Sequence, residues 1–183
     1  MSAAVVLSKD DLRAVAGFAA ASAETVLEIF EADQPGDSRP RDAIAAAWAF
    51  ARGGERGKVL RDTAWAALKA AQNAHTPAGR EAARAAMAAA GAAYLHPLAK
   101  ATQVKHILGA GAHAARAAEL IAGQSAAGHL ERTVRRATPA VIDVLRRYPA
   151  APDGGGRVGE LIRVLDADLR PPRTTTPAPA TRS

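Results

Sequence analysis

Residues 94–123, YLHPLAKATQVKHILGAGAHAARAAELIAG, constrain the chain more than any other stretch. Val104, Ile107, Gly111, Ala114, Ala118 and Ile121 recur at alternating steps of three and four, which sets them along one side of an α-helix. Thr102, His106, Gly109, His113, Arg116 and Leu120 recur in the same way on the opposite side. An apolar stripe backed by a stripe rich in small residues predicts a helix covered on both sides. The spacing therefore places a central helix here, with other helices packed around it.

The surrounding sequence can supply only helices for that packing. Roughly a quarter of the residues are alanine, the strongest helix former. Aromatic residues make up 4% of the chain, and Val, Ile and Thr are never gathered into alternating runs. The predicted fold class is all-α, a single-domain helical bundle of about seven or eight helices. A length of 183 residues suits one domain with a sizeable core.

Local signals mark the helix ends. Ser8 followed by Asp11 has the form of a capping box, opening a first helix that the apolar period carries to about residue 32. Ser38 and Pro40 open a second helix, which Gly53-Gly54 stops, and a third covers about 58–74. Thr76-Pro77 opens a fourth, to about 95. Pro97 then starts the central helix, because it lacks the amide proton and crowds the preceding turn. Further helices are predicted at about 126–136, after Thr138-Pro139, and at 158–169. The predicted domain is 1–169, followed at 170–183 by a disordered, basic Pro/Thr-rich tail with almost nothing apolar to bury.

The formal net charge is +6, with 24 basic residues against 18 acids. Arg170, Arg173 and Arg182 lie in the tail, so 21 basic residues face 18 acids in the body, which carries +3. That modest excess and the scarcity of aromatic stacking groups argue against specific nucleic-acid binding. No window approaches 18 uninterrupted apolar residues, so no membrane span is expected. The absence of cysteine excludes disulfides, thiol nucleophiles and thiolate metal sites. With no basic, apolar leader at the N-terminus, the expected location is the cytoplasm.

Chemistry-bearing motifs are weak. Gly154-Gly155-Gly156-Arg157-Val158-Gly159 fits G-x-G-x-x-G, but a Pro-rich loop precedes it instead of a strand, so it reads as a loop. No phosphate loop, H-E-x-x-H or Glu-x-x-His motif is present. His106 and His113 stand two helical turns apart, about 10.5 Å along the axis, too far to share one metal directly. A metal- or ligand-binding helical enzyme using His96, His106 and His113 is the alternative reading. Neither a cofactor nor catalysis is expected. On the first helix, Glu24, Glu28 and Glu31 lack a Lys or Arg at neighbouring i±4 positions. With Asp33 and Asp37 they form an acidic face suited to a basic protein surface. Homo-oligomerisation is left open.

The segment Asp37-Ser38-Arg39-Pro40-Arg41-Asp42-Ala43-Ile44, followed by Trp48-Ala49-Phe50-Ala51-Arg52-Gly53, resembles the opening of bacterial immunity proteins of the Imm-5-like family. Ala82-Ala83-Arg84-Ala85-Ala86 and Lys105-His106-Ile107-Leu108-Gly109-Ala110 resemble later blocks of that family, and the likeness covers about residues 37–120. The resemblance implies a small all-α cytoplasmic protein that binds and neutralises a toxin partner without catalysis. Glu24, Glu28, Glu31, Asp33 and Asp37 are its expected contact residues.

Overall fold

The alanine-rich helices come together much as the periods require. The computed structural model describes residues 4–170, and within them the chain forms nine α-helices. These are α1 (Lys9–Glu24), α2 (Leu27–Asp33), α3 (Arg39–Ala51), α4 (Lys58–Asn73), α5 (Pro77–Gly91), α6 (Val104–Glu119), α7 (Ala126–Arg136), α8 (Pro139–Arg146) and α9 (Gly156–Leu169). Short 3-10 turns cover Ala92–Tyr94 and Ala101–Gln103. No helix among the described residues is long and apolar enough to cross a membrane.

The caps act as the sequence implies. Ser8 Oγ accepts from the Asp11 amide while the Asp11 carboxylate accepts from the Ser8 amide, closing the capping box of α1. Thr76 and Thr138 cap α5 and α8 from their hydroxyls, each with a proline in the first turn. Ser38 differs. Its hydroxyl bonds Asp42 and makes no cap, and Asp37 accepts from the Arg39 amide instead.

The core centres on α5 and α6 lying side by side. Ala82, Ala83, Ala86, Ala89 and Ala90 are buried on α5, and Val104, Ile107, Leu108, Ala112 and Ala115 on α6. Methyl-sized side chains let backbones approach closely, so the contact is built from many small dispersion terms. Helices α1, α2, α3 and α4 pack against α5, while α1, α7 and α9 pack against α6. The centre of the bundle is thus shared by two helices. The larger side chains Phe18, Phe30 and Phe50 fill the space among the outer ones.

Two expectations need correction. The helix read as continuous from Ser8 to about residue 32 breaks at Thr25–Val26, giving nine helices where seven or eight were predicted. The Thr25 hydroxyl donates to the Ser22 carbonyl at 2.7 Å, and the Ser22 hydroxyl to that of Phe18 at 2.9 Å. Such side-chain bonds compete with the helix ladder and loosen its end. The central helix also begins at Val104, not at Pro97. Pro97 and Leu98 are drawn out against the N-terminal segment, where Val5 donates to the Pro97 carbonyl and Ala4 bridges Leu98. The Gln103 side chain accepts from the His96 amide and closes that loop.

Arg170, assigned to the tail by composition, is the last described residue. Its guanidinium bonds Asp166 and the carbonyls of Leu145, Tyr148 and Pro149, tying α9 to the end of α8. The rest of the expected tail lies outside the described residues.

Three helices meet at Gly111. A Cβ there would fall 2.8 Å from Thr133 Cγ2 on α7 and 3.4 Å from Leu165 Cδ1 on α9. Thr133 cannot readily turn away, because its hydroxyl donates to the His129 carbonyl at 2.8 Å. Gly111→Ala gains about 1 kcal/mol of helix propensity, but the overpacking costs about 1–3 kcal/mol. A net loss is expected in urea unfolding followed by circular dichroism. Adding Thr133→Ser, which removes the crowding methyl, is expected to restore stability. Gly111→Ala alone proving more stable than the parent contradicts this packing.

Candidate functional site

The five acids of the predicted contact face have different fates. Asp33 accepts from the His75 and Thr76 amides at 2.8 and 2.9 Å, pinning the end of α2 to the turn between α4 and α5. Burial pushes its carboxyl up, but the Thr76 and His75 hydrogen bonds outweigh that and hold it below the ordinary carboxylate range. Gly79 makes room for it, since a Cβ there would sit 2.8 Å from Asp33 Cγ. Asp37 is held by Arg39, and Glu31 pairs with Arg41. Glu24 and Glu28 are exposed, and neither makes an ion pair among the described residues.

Glu28 stands at the edge of a groove of about 900 Å³ at one end of the bundle. Ile29 and Ala32 of α2 form one side of it, and Pro77 and Ala78 opening α5 form another. Leu120 and Ile121, just past α6, complete an apolar floor. The helix break at Thr25–Val26 separates Glu24 from Glu28, and of the two it is Glu28 that lines this concave surface. A carboxylate beside an apolar floor can accept a basic residue while neighbouring side chains of the same partner bury carbon.

The histidines do not gather. His96 is exposed in the loop before α6, where its carbonyl accepts from the Tyr148 hydroxyl at 2.8 Å. His106 and His113 both line a second cavity, of about 630 Å³, between α4, α5 and α6. Among the described residues no group of three or more His, Asp or Glu side chains is placed to hold a metal ion. Among the described residues the three histidines of the alternative reading thus make no metal-holding group, and His96 is not among the residues lining that cavity.

That cavity is mostly apolar. Trp65 and Leu68 come from α4, and Met87, Ala88 and Gly91 from α5; Gly109 of α6 and Ile162 of α9 add to the walls. Its polar lining is Lys105, His106 and His113, and His113 Nδ1 in turn meets Glu81 Oε2 at 2.6 Å. Glu81 is 9% exposed and also accepts from Arg84 at 2.7 Å. Burial raises the Glu81 carboxyl, but the His113 and Arg84 interactions outweigh it and keep the acid ionised. His106 behaves in the opposite sense. Burial, with the Lys105 charge beside it, pushes its pKa down and favours the neutral ring, against a smaller hydrogen-bonding effect from the Gly91 backbone.

Glu81 was not singled out from the sequence. It lies 32 residues before His113 on another helix, and only the packing of α5 against α6 joins them. The one local hint was Arg84, three positions on.

A family model described as "Imm-5 like putative immunity protein" matches residues 6–139, well over half of the chain. The matched region contains the groove beside Glu28 and every cavity residue named above except Ile162. No curated protein and no solved structure matches the chain.

His106, half-buried and with its pKa pushed down, makes stability depend on pH. Below about pH 6.5 the unfolded chain gains a proton there, while the native chain resists until its own lower pKa is reached. Stability is therefore complete above pH 6.5 and is lost as pH falls toward the native pKa, with a limiting slope of about 1.4 kcal/mol per pH unit for one proton. His129, depressed by burial and by Arg132 and Arg136, adds in the same direction. His106→Phe is expected to flatten the pH dependence of urea midpoints between pH 7 and 5. An unchanged slope contradicts the assignment.

Proposed function

The chain belongs to the Imm-5-like immunity family, and on that premise we propose that it protects its producer in the cytoplasm by binding and blocking a toxin protein. The match over residues 6–139 carries this reading. The groove at the end of α2, α5 and α6 supports it in shape and charge. An inhibitor of this kind needs no reactive group. It needs a rigid surface that covers its target, and the bundle supplies an apolar concavity with Glu28 at its rim and Glu24 nearby in sequence.

The contact set is narrower than the acidic face drawn from sequence. Glu24 and Glu28 are the acids offered to a basic partner. Asp33, Asp37 and Glu31 shape the surface through their bonds to the α4–α5 turn, Arg39 and Arg41. Exposed carboxylates of this kind act chiefly on association rate, by steering a basic surface toward the groove, and salt weakens their effect.

Affinity capture from the producing cells, followed by identification of the bound protein, tests the proposal. A basic toxin-like partner is expected, and loss of the gene is expected to sensitise the producer to it. With the purified pair, Glu24→Lys with Glu28→Lys is expected to slow association about tenfold at low ionic strength and to matter little at high salt. An unchanged rate removes the acidic rim from the mechanism. Absence of any such partner, with no sensitisation on gene loss, removes the immunity role itself.

A further inference from the structure

The cavity between α4, α5 and α6 is separate from the surface proposed for the toxin. It borders α6 from Lys105 to His113, whereas the groove lies beyond that helix at Leu120 and Ile121. Its room comes from missing side-chain atoms. A Cβ on Gly91 would meet nothing within 4 Å, and one on Gly109 would meet only the Ala88 methyl, at 3.8 Å. The volume of about 630 Å³ is that of a small-molecule site.

Its walls specify the ligand. Trp65 is 64% exposed beside the cavity, a large indole left uncovered in a chain that buries its other aromatic side chains or packs them against the core. Met87 supplies an adaptable, polarisable surface, and Ile162 of α9 adds a further apolar side chain. Charge is equally particular. Lys105 is exposed, lines the cavity, and has no carboxylate within 4.0 Å among the described residues. No carboxylate is among the residues lining the cavity, and Glu81, the acid bonded to His113, already holds Arg84 as well. An unpaired ammonium beside an apolar cavity with no carboxylate in its lining favours a ligand with an anionic end.

We propose that this cavity binds a small aromatic molecule carrying one anionic head group. The ring system lies between Trp65, Met87, Gly91 and Gly109, and the head group pairs with Lys105. His113, with Nδ1 on Glu81, has Nε2 left for a polar substituent of the ligand. Nothing in this assignment depends on toxin binding, and its test uses no partner protein.

Two probes share one aromatic body and differ in the head group: 1-anilinonaphthalene-8-sulfonate and the uncharged N-phenyl-1-naphthylamine. Titration of the full chain, followed by probe fluorescence, is expected to saturate at one sulfonate per chain. Gly91→Phe, or the milder Gly91→Leu, fills the open space and is expected to weaken both probes about tenfold or more while the circular dichroism spectrum stays that of the parent. Lys105→Glu is expected to weaken the sulfonate about tenfold or more and the neutral probe by less than about twofold, since only the former feels the reversed charge. Lys105→Arg is expected to retain sulfonate binding. Unsaturable binding overturns the proposal, as does equal affinity in folded Gly91 variants. Binding that appears only once helical signal is lost does the same, and equal loss of both probes in Lys105→Glu refutes the anionic head.

Discussion

Everything in this fold depends on how closely α5 and α6 lie against each other. An alanine-rich core buries little carbon per residue, so cohesion comes from backbones drawn near enough for many weak contacts to add up. That arrangement leaves little slack. At Gly111 a single added carbon would meet α7 and then α9. The same economy of side chains produces the opposite result elsewhere on the same pair of helices. At Gly91 and Gly109 no large neighbour moves in, and a cavity is left. Tight packing and an internal site thus arise from one compositional choice, applied where neighbours do and do not converge.

The acids show how tertiary context assigns roles that a helical period cannot. By spacing alone, Glu24, Glu28 and Glu31 are equivalent. In the fold, Arg41 arrives from α3 to hold Glu31, and the α4–α5 turn presents two amides to Asp33. What remains available is a pair of carboxylates on either side of a helix break. That break carries no glycine or proline; it rests on serine and threonine hydroxyls bonding back to carbonyls, which sequence patterns record only faintly.

Most of the architecture was nevertheless legible. Caps at Ser8, Thr76 and Thr138, the prolines after the two threonines, and the three-four apolar steps placed most helices within a few residues. The start of α6 was not legible, because Pro97 marks where a helix cannot run but not how far the chain stays extended afterwards. Here the N-terminal segment pairs with Pro97 and Leu98 and delays the helix to Val104. For the cavity, His106 and His113 were visible as a pair on one face. Trp65 and Ile162, which line the site from two other helices, were not, and neither was Glu81, which meets His113 from α5.

The family match ends at residue 139, just as α8 begins, yet α9 is built into the core. Leu161 and Leu165 are buried, and Arg157 of α9 grips Glu119 at the end of α6, holding that carboxyl down at about 2. The limit of recognisable ancestry is therefore not the limit of the cooperative unit. A fragment cut where the family likeness stops would bare the flank of α6 around Gly111 to water, and its fate would be self-association and proteolysis. The last helix also supplies Ile162 to the cavity wall, so the same cut would lay that site open.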